Sequence, residues 1–129
     1  MLPRRRRRLL LPATRAAALA AFPVGAQVSS GAYNGYLLYS VSTTKTTYLR
    51  NNNGDVLHSW THTTGSGYSS KLLADGTLIR GAVSTATGIT GAGATGVIEA
   101  VGKTGNILWQ FPYKSSNYVL HHYIEVMPN

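Results

Sequence analysis

From residue 27 onward apolar positions recur at every second residue in short runs, and no useful length holds the three-and-four spacing of a helix. Eight segments read as strands: 35–41 (GYLLYSV), 46–51 (TTYLRN), 56–60 (VLHSW), 69–74 (SSKLLA), 77–82 (TLIRGA), 96–101 (GVIEAV), 107–112 (ILWQFP) and 121–127 (HHYIEVM). Between them lie Asn53-Gly54-Asp55, Asp75-Gly76 and Thr104-Gly105-Asn106, where glycine supplies the positive φ that tight hairpins need. The pattern predicts an all-β fold of antiparallel strands.

The strands also repeat. YLRNNNGDVLHSW and IEAVGKTGNILWQF share one design: a strand end, a glycine turn, then a β-branched residue, leucine and an aromatic, at an offset of 51 residues. KLLADG is echoed by EVMPN, with Asp75 matching Asn129 at an offset of 54. A four-stranded unit of about fifty residues is the size of a propeller blade. Residues 27–129 are therefore expected to form about two blades of an incomplete β-propeller, blade 1 and part of blade 2, with the chain continuing beyond Asn129. The alternative is a complete small β-protein. Trp60, Trp109 and Phe111 are expected in the core, where stacked blades bury aromatic rings.

Charge changes the picture only at the N-terminus. The formal net charge is +8, but six of the twelve Lys and Arg residues, Arg4 to Arg8 and Arg15, fall in the first 26 positions. The remainder carries six basic against four acidic residues, which is no nucleic-acid footprint. The basic run, the apolar stretch LLLPATRAAALAAF and VGA at 24–26 read as a signal peptide over 1–26, cleaved before Gln27, and so as a secreted or periplasmic protein. Arg6-Arg7 followed by Leu9-Leu10 resembles a twin-arginine export signal. A basic nuclear or nucleic-acid-binding tail and an organellar transit peptide remain open. The stretch is too short and interrupted to span a membrane. With no cysteine, the exported product would be held by packing without disulfides.

Chemistry-bearing residues are sparse. Gly91, Gly93 and Gly96 spell G-x-G-x-x-G, but a strand rather than a helix follows, so no dinucleotide cofactor is implied and the stretch reads as a loop between blades. His58 and His62 read as structural, and no metal-ligand spacing is evident. Asp55, Asp75, Glu99 and Glu125 are too dispersed for a catalytic carboxylate pair.

Taken in order, the strings resemble the opening of the arylsulfotransferase family, the secreted aryl-sulfate sulfotransferases and their relatives. The likeness lies in Gly35-Tyr36-Leu37-Leu38-Tyr39, the segment from Thr46 to Trp60, the strand pair from Leu72 to Arg80, the pair from Gly96 to Trp109, and His121-His122-Tyr123-Ile124 before Pro128-Asn129. It covers about residues 35–129. The resemblance implies a six-bladed propeller that moves a sulfuryl group from a phenolic sulfate ester to a phenol acceptor, without a cofactor, through a covalent sulfohistidine. Neutral imidazole suits that role as nucleophile and leaving group. It implies that the nucleophile lies in blades this sequence does not contain, that the fragment alone is inactive, and that His121 and His122 contact sulfate. Tyr123 stands where the family has aspartate. Because side chains alternate along a strand, only one histidine is expected to face the funnel, and His122 is the choice. A half-buried, hydrogen-bonded structural pair is the other reading. The alternative function is a non-catalytic secreted propeller used for adhesion or ligand binding.

Export has a direct test: N-terminal sequencing of material secreted by a bacterial host is expected to begin at or near Gln27. Intact Met1 on soluble cytoplasmic protein would overturn it.

Overall fold

Three hairpin turns share one construction. Gly54 N–H donates to the Asn51 carbonyl (3.0 Å) and Asn51 N–H to that of Asp55 (3.1 Å). The same two bonds close Leu73–Thr77 (2.9 and 2.8 Å) and Gly102–Asn106 (2.9 and 2.8 Å). Gly54, Gly76 and Gly105 hold φ at 87°, 86° and 86°, a left-handed conformation that costs glycine little. Side chains lock two of these loops, with Asn51 Oδ1 accepting from Asp55 N–H and Asp75 Oδ1 from Thr77 N–H.

The computed structural model describes residues 31–41, 44–84 and 88–128, so the expected 1–26 signal segment lies outside the described residues. Seven strands form two antiparallel sheets. The first holds β1 (Tyr36–Ser40), β2 (Thr46–Asn51) and β3 (Val56–Thr61) in chain order. The second holds β4 (Ser66–Leu72), β5 (Leu78–Val83), β6 (Gly96–Val101) and β7 (Ile107–Pro112), also in chain order. The described residues are all-β, and no helix among them is long and apolar enough to cross a membrane.

The repeat read from sequence recurs in the strand register. The β2–β3 ladder slips between Leu49↔His58 and Arg50↔Val56, leaving Leu57 as a bulge. The β6–β7 ladder slips between Ala100↔Trp109 and Val101↔Ile107, leaving Leu108. All of these residues match at an offset of 51. A bulge tightens the local twist, so both hairpins coil in the same way.

The sheets pack face to face around Trp60, Leu78 and Val101, with Leu38 and Leu49 against them. Each fully buried apolar side chain contributes roughly 1.5–3 kcal/mol. Trp60 Nε1–H donates to the Gly102 carbonyl (3.2 Å) and His58 Nε2 to that of Lys103 (2.8 Å), so the first sheet grips the β6–β7 turn. A second apolar cluster of Ile79, Ala100 and Ile124 lies on the opposite, outer face of the second sheet.

Two expectations are corrected. Residues 121–127 are not a strand: His121 makes one isolated bridge to Ala94, and the segment beyond lies across the outer face, where Ser69 Oγ binds both peptide groups of Ile124 (3.2 and 3.3 Å). Trp60 is buried, but Trp109 and Phe111 are 50% and 53% exposed. They lie on β7, the last strand of its sheet, which no described layer covers.

Polar groups fill the space between the sheets. Arg80 and Glu99, directly opposite on β5 and β6, form an ion pair 0% and 3% exposed. Arg80 also donates to the Thr64 and Gly65 carbonyls (3.0 and 2.8 Å), and Gln110 Nε2 donates to Glu99 (2.7 Å). Nearby, buried His62 Nε2 bonds Thr47 Oγ1 (2.9 Å), which bonds Ser40 Oγ (2.7 Å).

Burial first, then the Arg80 charge, push His62 down from 6.5 to about 4, with Glu99 opposing. The unfolded chain then binds the His62 proton at a pH where the folded chain does not. The stability this gives is full above pH 6.5 and is lost as pH falls toward about 4. Urea unfolding is expected to show a loss approaching roughly 3 kcal/mol across that window. His62→Asn should flatten it. The loss at still lower pH should remain, because hydrogen bonds from Thr77 hold Asp75, and those from Tyr123 and Lys71 hold Glu125, below the usual carboxylate range. Unchanged wild-type stability between pH 6.5 and 4 would refute the assignment.

Candidate functional site

The histidine pair is positioned by backbone rather than by a strand ladder. After β7 the chain makes a short excursion, bridged at Lys114↔Val119 and closed by Ser115 N–H to the Tyr118 carbonyl (2.8 Å). It returns beside the entry to β6 through Leu120 N–H to Tyr113 (2.9 Å), Thr95 N–H to Leu120 (2.9 Å) and His122 N–H to Gly93 (3.0 Å). Thr95 is buried and seats that entry on the second sheet. A Cβ at Gly67 would lie 2.1 Å from the Thr95 methyl group, so β4 needs glycine there, and one at Gly81 would meet the same methyl tightly, at 3.0 Å.

At His122 the backbone turns left-handed, φ 57°, and Tyr123 N–H donates to the His121 carbonyl (2.9 Å). This three-residue turn is strained for a residue with a side chain. It removes the alternation expected of a strand, so the two imidazoles share a side, with ring centroids 3.9 Å apart and edge to face. Both are exposed. His122 also lies 5.3 Å from the Tyr68 ring, and Gly93 passes so close that a Cβ there would be 2.3 Å from His122 Cδ2. The half-buried, hydrogen-bonded alternative does not describe them: neither imidazole has a hydrogen-bond partner among the described residues.

Tyr123 turns toward β4. Its hydroxyl donates to Glu125 (2.7 Å) and accepts from Lys71 Nζ (3.2 Å), and Lys71 pairs with Glu125 (3.0 Å). The Glu125 and Tyr123 bonds raise Lys71, and those of Tyr123 and Lys71 lower Glu125, so both are charged at neutral pH. An exposed rim thus carries two imidazoles, two phenols and an ammonium group. Its hydrogen-bond donors suit oxyanions, and its rings suit aromatic groups.

The sequence singled out His121 and His122 but not Tyr68 or Lys71, and it placed Gly93 only in a glycine-rich loop. Tyr68 lies just before the strand predicted over 69–74, whereas β4 begins at Ser66 and carries it under His122. His58 and His62 lie elsewhere, at the sheet interface. Gly96 opens β6, so no helix follows the glycine-rich stretch. No group of three or more metal-ligating side chains occurs among the described residues.

Gly93→Ala introduces a methyl group against the His122 ring at a backbone φ of 84°. In an NMR spectrum of the imidazole protons, the His122 and His121 resonances should move while those of His58 and His62 stay. Four unmoved histidines would show that the close approach does not set the pair.

Against known protein families, characterised proteins and solved structures, the chain has no match.

Proposed function

We propose that the two sheets are neighbouring blades of a β-propeller, and that this propeller is arylsulfotransferase-like, moving a sulfuryl group from a phenolic sulfate ester to a phenol acceptor. The blade reading is supported by the bulge and turn that recur at an offset of 51 residues in two sheets stacked face to face. The chemical reading rests on the ordered sequence strings. The observation that carries it is the exposed pairing of His121 and His122 against Tyr68, with Lys71 three residues further along β4.

In this reading the imidazoles of His121 and His122 hold sulfate oxygens by hydrogen bonds and Tyr68 meets the aryl ring. Lys71, already paired with Glu125, lends a screened positive charge. The donor's aryl O–S bond breaks as an S–N bond forms on a histidine of another blade, and the departing phenolate takes up a proton and leaves as the phenol. That S–N bond then breaks as the acceptor phenol, losing its proton, takes the sulfuryl group. The setting is secreted or periplasmic.

One observation favours the non-catalytic alternative, a secreted propeller for adhesion or ligand capture. Tyr123, standing at the family's aspartate, is committed to Glu125 and Lys71, so no carboxylate among the described residues orients either imidazole.

Titrating 4-nitrophenyl sulfate into the full chain should perturb NMR resonances of Tyr68, His121 and His122, with no 4-nitrophenol released above buffer. His121→Ala with His122→Ala should abolish the perturbation. Absence of any perturbation would end the sulfate reading. Turnover lost in His122→Ala would move the nucleophile into this pair.

A further inference from the structure

The repeat gives the two sheets a head and a tail. Residues Leu37↔Arg50 and Leu38↔Leu49 of β1–β2 correspond to Leu78↔Val101 and Ile79↔Ala100 of β5–β6, at offsets of 41 and 51. The first sheet docks on the second with Leu38, Leu49, His58 and Trp60. Their counterparts, Ile79, Ala100, Trp109 and Phe111, occupy the outer face of the second sheet. The outer face therefore repeats, position for position, the face by which one sheet already binds another, and its aromatic end is half exposed.

The receiving surface repeats as well. In the docked pair, His58 and Trp60 approach the turn at Gly102 and Lys103, beside Gly76. The corresponding positions in the first sheet are Asn51, Asn52 and Gly35. These line an open cavity of about 370 Å³, next to exposed Tyr36 and Leu37. Trp109, the counterpart of His58, is the residue whose indole N–H would meet the Asn52 carbonyl there, as His58 meets Lys103.

The strand complement agrees. β4 adds a fourth strand beside β5, whereas β1 has no hydrogen-bonded strand on its outer edge among the described residues. At the 54-residue offset, β4 corresponds to the segment 121–127, which already lies on the outer face through Ile124. The pairs Lys71↔Ile79 and Leu72↔Leu78 then translate to Glu125↔Leu38 and Val126↔Leu37 between two chains. The backbone groups of Glu125 and Val126 have no partner among the described residues. A cleft of about 480 Å³ runs along this segment, walled by Trp109, Ile98 and Ile79.

We infer that the chain associates with a second copy of itself head to tail. The outer face of one copy's second sheet, with its segment 121–127, docks on the first sheet of the next copy and completes it as a fourth strand. The occupant is a second copy because the surface complementary to this face, by the chain's own repeat, is the exposed side of its first sheet. Such a contact is heterologous, joining unlike faces, and propagates until a ring closes. Edge-strand pairing of this kind is a known route of association. The inference uses the repeat alone and stands apart from sulfuryl transfer.

Light scattering on the full chain after size-exclusion chromatography tests it. Wild type should show a mass that rises with concentration above one chain. Phe111→Glu removes the tail and Leu37→Glu the head, both at exposed positions outside the buried clusters. Each alone should be monomeric, and their equimolar mixture should double in mass and stop at a one-to-one dimer. If circular dichroism shows either variant unfolded, Trp109→Glu and Tyr36→Glu replace them. Monomeric wild type overturns the inference. So does either variant that still self-associates, since like faces would then be pairing, and so does a mixture that stays monomeric.

Discussion

One guanidinium organises the interior. Arg80 is enclosed by protein, and an enclosed charge is tolerated only when its partners surround it. Glu99 supplies the countercharge from β6, Gln110 holds Glu99 from β7, and the carbonyls of Thr64 and Gly65 bind the guanidinium from the crossing between sheets, leaving its Nε–H without a partner among the described residues. Three strands and the inter-sheet connection are thereby tied to a single side chain. Apolar packing around Trp60 favours contact between the sheets but tolerates many orientations. The fixed donor directions of Arg80 permit far fewer.

That anchoring reaches the histidine rim by a short structural route. Arg80 fixes β5 against the crossing, Gly81 follows it on β5, and Gly67 lies on neighbouring β4. Together they offer Thr95 a flat seat. Thr95 in turn holds the Leu120 carbonyl through its N–H and its hydroxyl (2.9 and 3.2 Å), just before the pair. The exposed imidazoles are thus placed by glycine-dependent contacts in the sheet beneath them.

Sequence reveals local geometry well here and layering poorly. Gly54, Gly76 and Gly105 mark three turns because a left-handed residue is dictated by the chain itself. The 51-residue spacing reaches as far as the bulges. HHYIEVM has the alternation of a strand, but a ladder needs a partner edge, which no property of those seven residues supplies. Trp60 and Phe111 make the same point: they match at the 51-residue offset, and burial followed from which sheet lay opposite. Likewise, nothing in HHY announces the positive φ of His122, which arises where Gly93 leaves room for its ring.

The unequal surroundings of the two tryptophans have an optical consequence. Trp60 is 2% exposed and bonded to a carbonyl, whereas Trp109 stands half in solvent on β7. They are the chain's only indoles, so its emission has one component from a dry, apolar setting and another from a wet one. A dissolved quencher such as iodide reaches the second and not the first. The protein therefore carries two native reporters, one reading the seam between its sheets and the other its outer face, with no label attached.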